Sequence, residues 1–458
     1  MTTSIGHTAG TTEGCILLQA QISVHGTVGS SLRCQNSTVL TLSRARVHFL
    51  LSPSLAVITE NHKLYTWGCG AHGQLGQFSE DTECPPDVLV PTQVKGSQSL
   101  TLEGKDFMTV SCGVNHTAAI DRDGKIHTFG NGADGRLGLD SLGSKIEPCE
   151  VQHELATKRC VRVACGWAHT VALEENGKVY SWGSNSFGQL GQGSMDSKPS
   201  STSVVPQQVL GFPKGVKIMT ICCGAWHTIA LSEQGSVFSW GGGDYGQIGL
   251  GDVRSSLSPA LVKFNKSVLA IACGVWHSLA LTDEGVVGQR GVVWAFGRAS
   301  GGELGLGDFE CRFEPTAVKG TLLGERVMRI SAGGWNSAAL TDKGDVFVWG
   351  HNQYSQLAAS ALANKPSPEP RKIEISPMMD ASGVSCGPAH MAVVTKDGHL
   401  YTWGRGDRGQ LGHDLVVHKE SVPRLVKGGE EVEDGSGGGV RLRLVSRPIQ
   451  WLLTSPWI

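Results

Sequence analysis

The chain has 458 residues, a formal net charge of −2 and only 17% charged side chains. No clustered Lys/Arg surface is visible of the kind that neutralises nucleic-acid phosphates or anionic lipid. No apolar run reaches the length of a membrane span, and the N-terminus lacks the basic start and apolar core of a secretory signal. The expectation is therefore no nucleic-acid partner, no membrane insertion, and a cytoplasmic protein with the nucleus as a second location.

Residues 1–44 form an ill-defined N-terminal segment. Positions 14–59 lack Asp and Glu but carry Arg33, Arg44 and Arg46 among Ser and Thr, a faint likeness to a mitochondrial presequence. From 45 to 430 one phrase recurs seven times: YTWGCGAHGQLG from Tyr65, HTFGNGADGRLG from His127, YSWGSNSFGQLG from Tyr180 and FSWGGGDYGQIG from Phe238, then WAFGRASGGELG from Trp294, FVWGHNQYSQLA from Phe347 and YTWGRGDRGQLG from Tyr401. Its first glycines fall at 68, 130, 183, 241, 297, 350 and 404, a period of 53–62 residues. A second phrase precedes it: SCGVNHTAAI from Ser111, ACGWAHTVAL from Ala164, CCGAWHTIAL from Cys222, ACGVWHSLAL from Ala272, SAGGWNSAAL from Ser331 and SCGPAHMAVV from Ser385. In the first unit the matching stretch, HFLLSPSLAVI, has lost its Cys, Gly and His.

Within one unit, VRVACG reads as a strand and HTVALEENGKVYSWG as a hairpin turning on Asn176-Gly177, since Asn-Gly tolerates positive φ at both central positions. A repeat this long, made of strand and turn without helix, predicts an all-β fold: a seven-bladed β-propeller with four-stranded blades. Residues 431–458 hold an acidic, glycine-rich linker and an apolar tail in which VRLRLV is a candidate closing strand.

Cys112, Cys165, Cys223, Cys273 and Cys386 occupy one repeat position. Equivalent positions in successive blades are expected to lie too far apart for disulfides, so small buried thiols in a reducing compartment are the reading. The motif aromatics Trp67, Phe129, Trp182, Trp240, Phe296, Trp349 and Trp403 read as blade core. The motif histidines His116, His169, His227, His277 and His390 read as hydrogen-bonding tethers, because positions spread around a ring cannot converge on one metal. No catalytic residue, metal site or cofactor is predicted.

Two features stand outside the repeat. Trp226, Trp276 and Trp335 fill the slot before the motif His in three consecutive units; each ring either covers its own blade or joins an aromatic interface patch. The fifth unit carries extra residues at its hairpin turn, Val286 to Gly291 with Gln289 and Arg290 among them, either a neutral insertion or a loop that probes a partner.

The paired phrases CGxxHTxAL and WGxxxxGQLG resemble the repeat signature of the regulator of chromosome condensation family of seven-bladed propellers. That family includes a chromatin-bound exchange factor for the nuclear GTPase Ran, secretion-linked exchange-factor-like proteins, a plant ultraviolet-B photoreceptor, and propellers attached to kinases or ubiquitin ligases. The stretch at 163–191 and the phrase FVWGHNQYSQLA are similar to the secretion-linked branch. The resemblance implies face-exposed carboxylates after the aromatic-Gly pair, here Asp134, Asp244 and Asp407, which either contact a GTPase or reflect ordinary turn preference. Two departures stand out. The slot before the motif His, acidic in the Ran factor's active blade, holds Asn115, Ala168, Trp226, Trp276, Trp335 and Ala389. The photoreceptor's Gly-Trp-Arg-His-Thr is approached only by Gly166-Trp167-Ala168-His169-Thr170.

The sequence thus predicts a monomeric, protein-binding propeller without covalent chemistry, an exchange factor or regulator for a small GTPase. A non-catalytic scaffold is the alternative, with a photoreceptor or a propeller hydrolase further off.

Overall fold

A computed structural model describes residues 46–48, 53–59, 61–77, 86–95, 102, 105–193, 202–283, 291–358, 364–373 and 380–427. These residues form seven four-stranded antiparallel sheets, spanning 46–93, 107–150, 160–208, 218–262, 268–317, 327–372 and 381–425. Each sheet uses consecutive strands paired in chain order, the arrangement of a propeller blade. The helices among the described residues are three single 3₁₀ turns, at Ala133–Gly135, His153–Leu155 and Gly320–Leu322. The first strands of successive blades face one another around the axis, and the first strand of blade 1, Arg46–His48, meets those of blades 2 and 7. Blade 1 draws its four strands from 46–93. The segments 1–44 and 431–458, with the expected closing strand, lie outside the described residues.

Local sequence explains the burial. A half-exposed strand alternates, but the second strands are buried along their length, as in His227–Ser232 and His277–Thr282. Each sheet is packed on both faces by its neighbours, so both sides of the strand must be apolar. The fourth strands, at the rim, are only partly buried, as in Lys145–Glu150. The cores accordingly sit between blades. One joins Ala118, Ile120 and Ile126 of blade 2 to Val163, Tyr180 and Trp182 of blade 3. Another closes the ring by packing Leu55, Val57 and Trp67 of blade 1 on Ala392, Val394 and Leu400 of blade 7. All seven motif aromatics are essentially inaccessible, so they are core and not a binding box.

Antiparallel pairing sorts the loops. In blade 3, His169 pairs Gly183 at one end of the hairpin, while Leu173 pairs Val179 next to the Asn176-Gly177 turn at the other. The CGxxH and WGxxxxGQLG loops therefore emerge together on one face, and the second-to-third-strand turns emerge on the opposite face.

Candidate functional site

The motif loops are held by a hydrogen-bond relay between adjacent blades. Thr228 Oγ1 donates to Gln189 O at 3.0 Å, which uses its proton, so His169 Nε2 must donate to Thr228 Oγ1, 3.1 Å away. The same chain runs His116–Thr170–Arg136 O, His227–Ser278–Gln247 O and His277–Ser337–Glu303 O, with His-to-hydroxyl distances of 2.9, 2.9 and 2.8 Å. The motif tryptophan of the following blade donates to the same carbonyl: Trp182 to Arg136 O at 3.0 Å, Trp240 to Gln189 O at 2.9 Å and Trp349 to Glu303 O at 2.9 Å. Trp67 carries the pattern across the ring closure, donating to Gln410 O at 3.2 Å.

The other edge of the imidazole explains the motif glycine. A Cβ on Gly166 would lie 2.1 Å from His169 Cε1 and 2.3 Å from Nδ1. Burial pushes His169, His227, His277 and His390 down to about 3, so these rings are neutral spacers at neutral pH. Blade 6 replaces the pair chemically: Asn336 Nδ2 donates to Met391 Sδ at 2.8 Å, where blades 2 to 5 set His against Thr or Ser.

Above this relay lies a band of partly exposed aromatic side chains. Trp226 stacks on Trp167 with centroids 5.7 Å apart and an interplanar angle of 21°, and Phe187 flanks it at 5.3 Å. Trp276 meets Tyr245 edge-on at 5.3 Å, and the Arg298 guanidinium covers Tyr245 at 5.6 Å. Trp226 and Trp276 share one apolar cluster with Ala225, Val275 and Val114. Trp335 sits 6.4 Å from the His351 ring. On the blade 7 side Arg405 lies over Tyr354 at 5.1 Å. Trp167 is 40% exposed and Trp335 37%, whereas the motif tryptophan Trp240 is fully covered.

Sequence reasoning named Trp226, Trp276 and Trp335 but missed Trp167, Phe187, Tyr245 and Arg298 as their neighbours. The signal was the aromatic fourth residue after the Trp-Gly pair (Phe187, Tyr245, Tyr354). The structure also stacks a tryptophan pair across two blades, Trp167 on Trp226.

The three acids behave differently from one another. Asp134 is held by Arg136 at 2.6 Å, and Arg136 also donates to Trp167 O at 3.3 Å. Asp407 is gripped by Arg405 at 2.7 Å; burial alone would raise its carboxyl, but Arg405 holds it below the ordinary value. Asp244 is exposed beside Tyr245. Gln289 and Arg290 lie outside the described residues. The flanking positions Thr282 and Val292 pair at the far end of blade 5 from His277 and Gly297, on the face opposite the tryptophans.

One buried group departs from the repeat. Glu303 replaces the motif glutamine, is wholly covered, and accepts the Gly301 N–H at 2.6 Å, while burial raises its carboxyl to about 7. Along the axis, Met108, Val161, Met219, Leu269 and Met328 expose apolar side chains from the first strands. Among the described residues, no three His, Cys, Asp or Glu side chains are grouped to hold a metal, and no helix is long and apolar enough to cross a membrane.

The fold is a seven-bladed propeller whose motif loops carry an aromatic face, and its function has to be argued from that face rather than from the architecture. Residues 52–288 match the RCC1-like domain, and 290–340, 343–394 and 397–439 match the regulator of chromosome condensation (RCC1) repeat. The chain belongs to the RCC1-like propeller family. It is 33% identical over 363 residues to the Arabidopsis thaliana ultraviolet-B receptor UVR8, covering 79% of this chain and 77% of the receptor. It is 34% identical over 380 residues to the Arabidopsis thaliana mitochondrial RCC1 domain-containing protein RUG3, covering 79% and 81%. The fold is shared with Saccharomyces cerevisiae Prp20p, described with its binding to Gsp1p and histones, at a TM-score of 0.67 and 22% identity over 83% of this chain and 88% of that one.

Proposed function

We propose that the motif-loop face docks a small GTPase and accelerates release of its nucleotide. The observation that carries this reading is the partly exposed band Trp167–Trp226 and Tyr245–Trp276, capped by Arg298, on one face of blades 3 to 5. Aromatic and arginine side chains are the residue types that anchor protein interfaces. The binding of Gsp1p by the fold relative Prp20p agrees in kind. Exchange needs no covalent step: a face that binds the nucleotide-free GTPase more tightly than the loaded form weakens nucleotide affinity by the same factor. The test is co-precipitation of purified small GTPases with nucleotide stripped by chelation or held with magnesium. Stronger retention of the stripped form supports exchange; equal retention of both forms overturns it.

One observation favours a second reading, a non-catalytic scaffold. Asp134 and Asp407, the acids that family resemblance would aim at a GTPase, are engaged by Arg136 and Arg405 of the chain itself. A scaffold would bind its partner through the same aromatic band and leave nucleotide release unchanged.

A further inference from the structure

The joint between neighbouring first strands has a repeated geometry. The residue before the motif cysteine position reaches across to that position in the next blade. Ser111 Oγ accepts the Cys165 N–H at 3.0 Å, and Ser331 Oγ accepts the Cys386 N–H at 3.0 Å. The motif thiols turn back to the same neighbour, Cys165 to Ser111 O at 3.4 Å, Cys223 to Ala164 O at 3.6 Å and Cys386 to Ser331 O at 3.5 Å. Between blades 4 and 5 this slot holds Cys222 in place of Ser or Ala. Its Sγ lies 2.8 Å from Cys273 Sγ, on strands Ile218–Cys223 and Val268–Cys273. That separation exceeds a disulfide bond of about 2.05 Å by less than 1 Å. Motif-equivalent cysteines are not involved as a pair: the contact arises because Cys222 is offset by one residue, which the expectation of isolated thiols did not consider.

We propose that Cys222 and Cys273 are a modification site that forms a reversible interblade disulfide when a hydroperoxide oxidises Cys222. Cys222 is the entry point, being 8% exposed where Cys273 is fully covered. Its sulfur attacks the peroxide, the O–O bond breaks, and Cys222 becomes a sulfenic acid while the peroxide's other oxygen leaves with the thiol proton, as an alcohol or, from hydrogen peroxide, as water. The Cys273 sulfur then attacks the Cys222 sulfur, and the hydroxyl leaves with the Cys273 proton as water. Two thiols lose two electrons and the peroxide gains them. A small thiol reductant reverses the bond by exchange. Burial, and then the adjacent Cys222, raise the Cys273 thiol well above its ordinary range, which slows the second step. The bond ties the strands that lead into the Trp226 and Trp276 loops, so the redox state acts where the aromatic band is anchored.

The experiment treats the full, folded chain with hydrogen peroxide, alkylates remaining thiols, and maps peptides by mass spectrometry. The expected result is a cross-linked peptide pair containing Cys222 and Cys273, lighter by two hydrogens and separated by dithiothreitol. Cys222→Ser, which restores the residue found in blades 2 and 6, removes the cross-link; Cys223→Ser retains it. Cys222 oxidised to sulfinic acid with Cys273 still alkylatable after unfolding overturns the proposal. So does a disulfide to any other cysteine, or no change at either residue. The wild-type map decides the matter even if a variant fails to fold.

Discussion

Replacing Trp226 separates surface from core in one measurement. Its indole has two ring partners, Trp167 at 5.7 Å and Phe187 at 5.3 Å, and its outer part faces solvent. Aromatic pairs of this kind contribute about 0.5–1.5 kcal/mol each, so Trp226→Ala is expected to destabilise by about 1–3 kcal/mol. Trp240, one strand away, is the internal comparison: it is fully covered and donates to Gln189 O at 2.9 Å. Trp240→Ala is expected to cost about 3–5 kcal/mol, with the Gln189 carbonyl losing a donor as well. Partner affinity reverses the order. Trp226→Ala removes at least about 2 kcal/mol of binding, roughly thirtyfold, if the ring is an anchor. Urea unfolding followed by far-ultraviolet circular dichroism gives the stability values, and titration of folded variants gives affinity. Equal destabilisation by the two substitutions, with affinity unchanged in Trp226→Ala, refutes the assignment of Trp226 to an interface.

The remaining predictions follow from the relay and its departures. Gly166→Ala drives a methyl to 2.1 Å from His169 Cε1 and is expected to cost about 1–3 kcal/mol or more, read as a lower urea midpoint; Gly193→Ala, with nothing within 4 Å of its Cβ but φ +79°, should cost less. The four histidines held at about 3 against an ordinary 6.5 are neutral in the fold, so their contribution is full above pH 6.5 and falls as pH drops toward 3. His227→Gln should flatten that acid limb in denaturation curves measured at successive pH values. Glu303 has the opposite sign: its folded carboxyl is raised from 4.5 to about 7, so its contribution is full below pH 4.5 and lost as pH rises through 7. Glu303→Gln, which restores the motif residue, should recover about 3 kcal/mol at pH 8 and remove that slope.

Much of the architecture was legible because the repeat is a physical unit. Each aromatic-Gly pair, five Trp-Gly and two Phe-Gly, marks one blade, so counting the seven pairs counts the sheets. The Trp182, Trp240 and Trp349 cores follow from repetition alone. The candidate site was only partly legible, and the reason is spatial. Trp167 and Trp226 occupy different slots of their repeats, one and two residues after the motif glycine, yet a blade's rotation stacks them. Position-by-position comparison of repeats hides such offset contacts, and Cys222 with Cys273 is a second case. Pairing of Asp134 with Arg136 and of Asp407 with Arg405 was equally hidden, although each partner is two residues away. The two placements seen for the expected site are opposite faces: the tryptophans share the motif loops, and Thr282 and Val292 flank the fifth-unit insertion at the other end of the blade.

The central claim is that the aromatic band engages a small GTPase and promotes nucleotide release. It is tested most directly by release of a fluorescent guanine nucleotide from a panel of purified small GTPases, with wild-type protein and with the folded Trp226→Ala/Trp276→Ala variant. The double change is needed because the two rings share one cluster and single losses there need not add. The account predicts that wild type accelerates release from at least one GTPase and that the double variant does not. Unaccelerated release across the panel, or equal acceleration by the double variant, contradicts it.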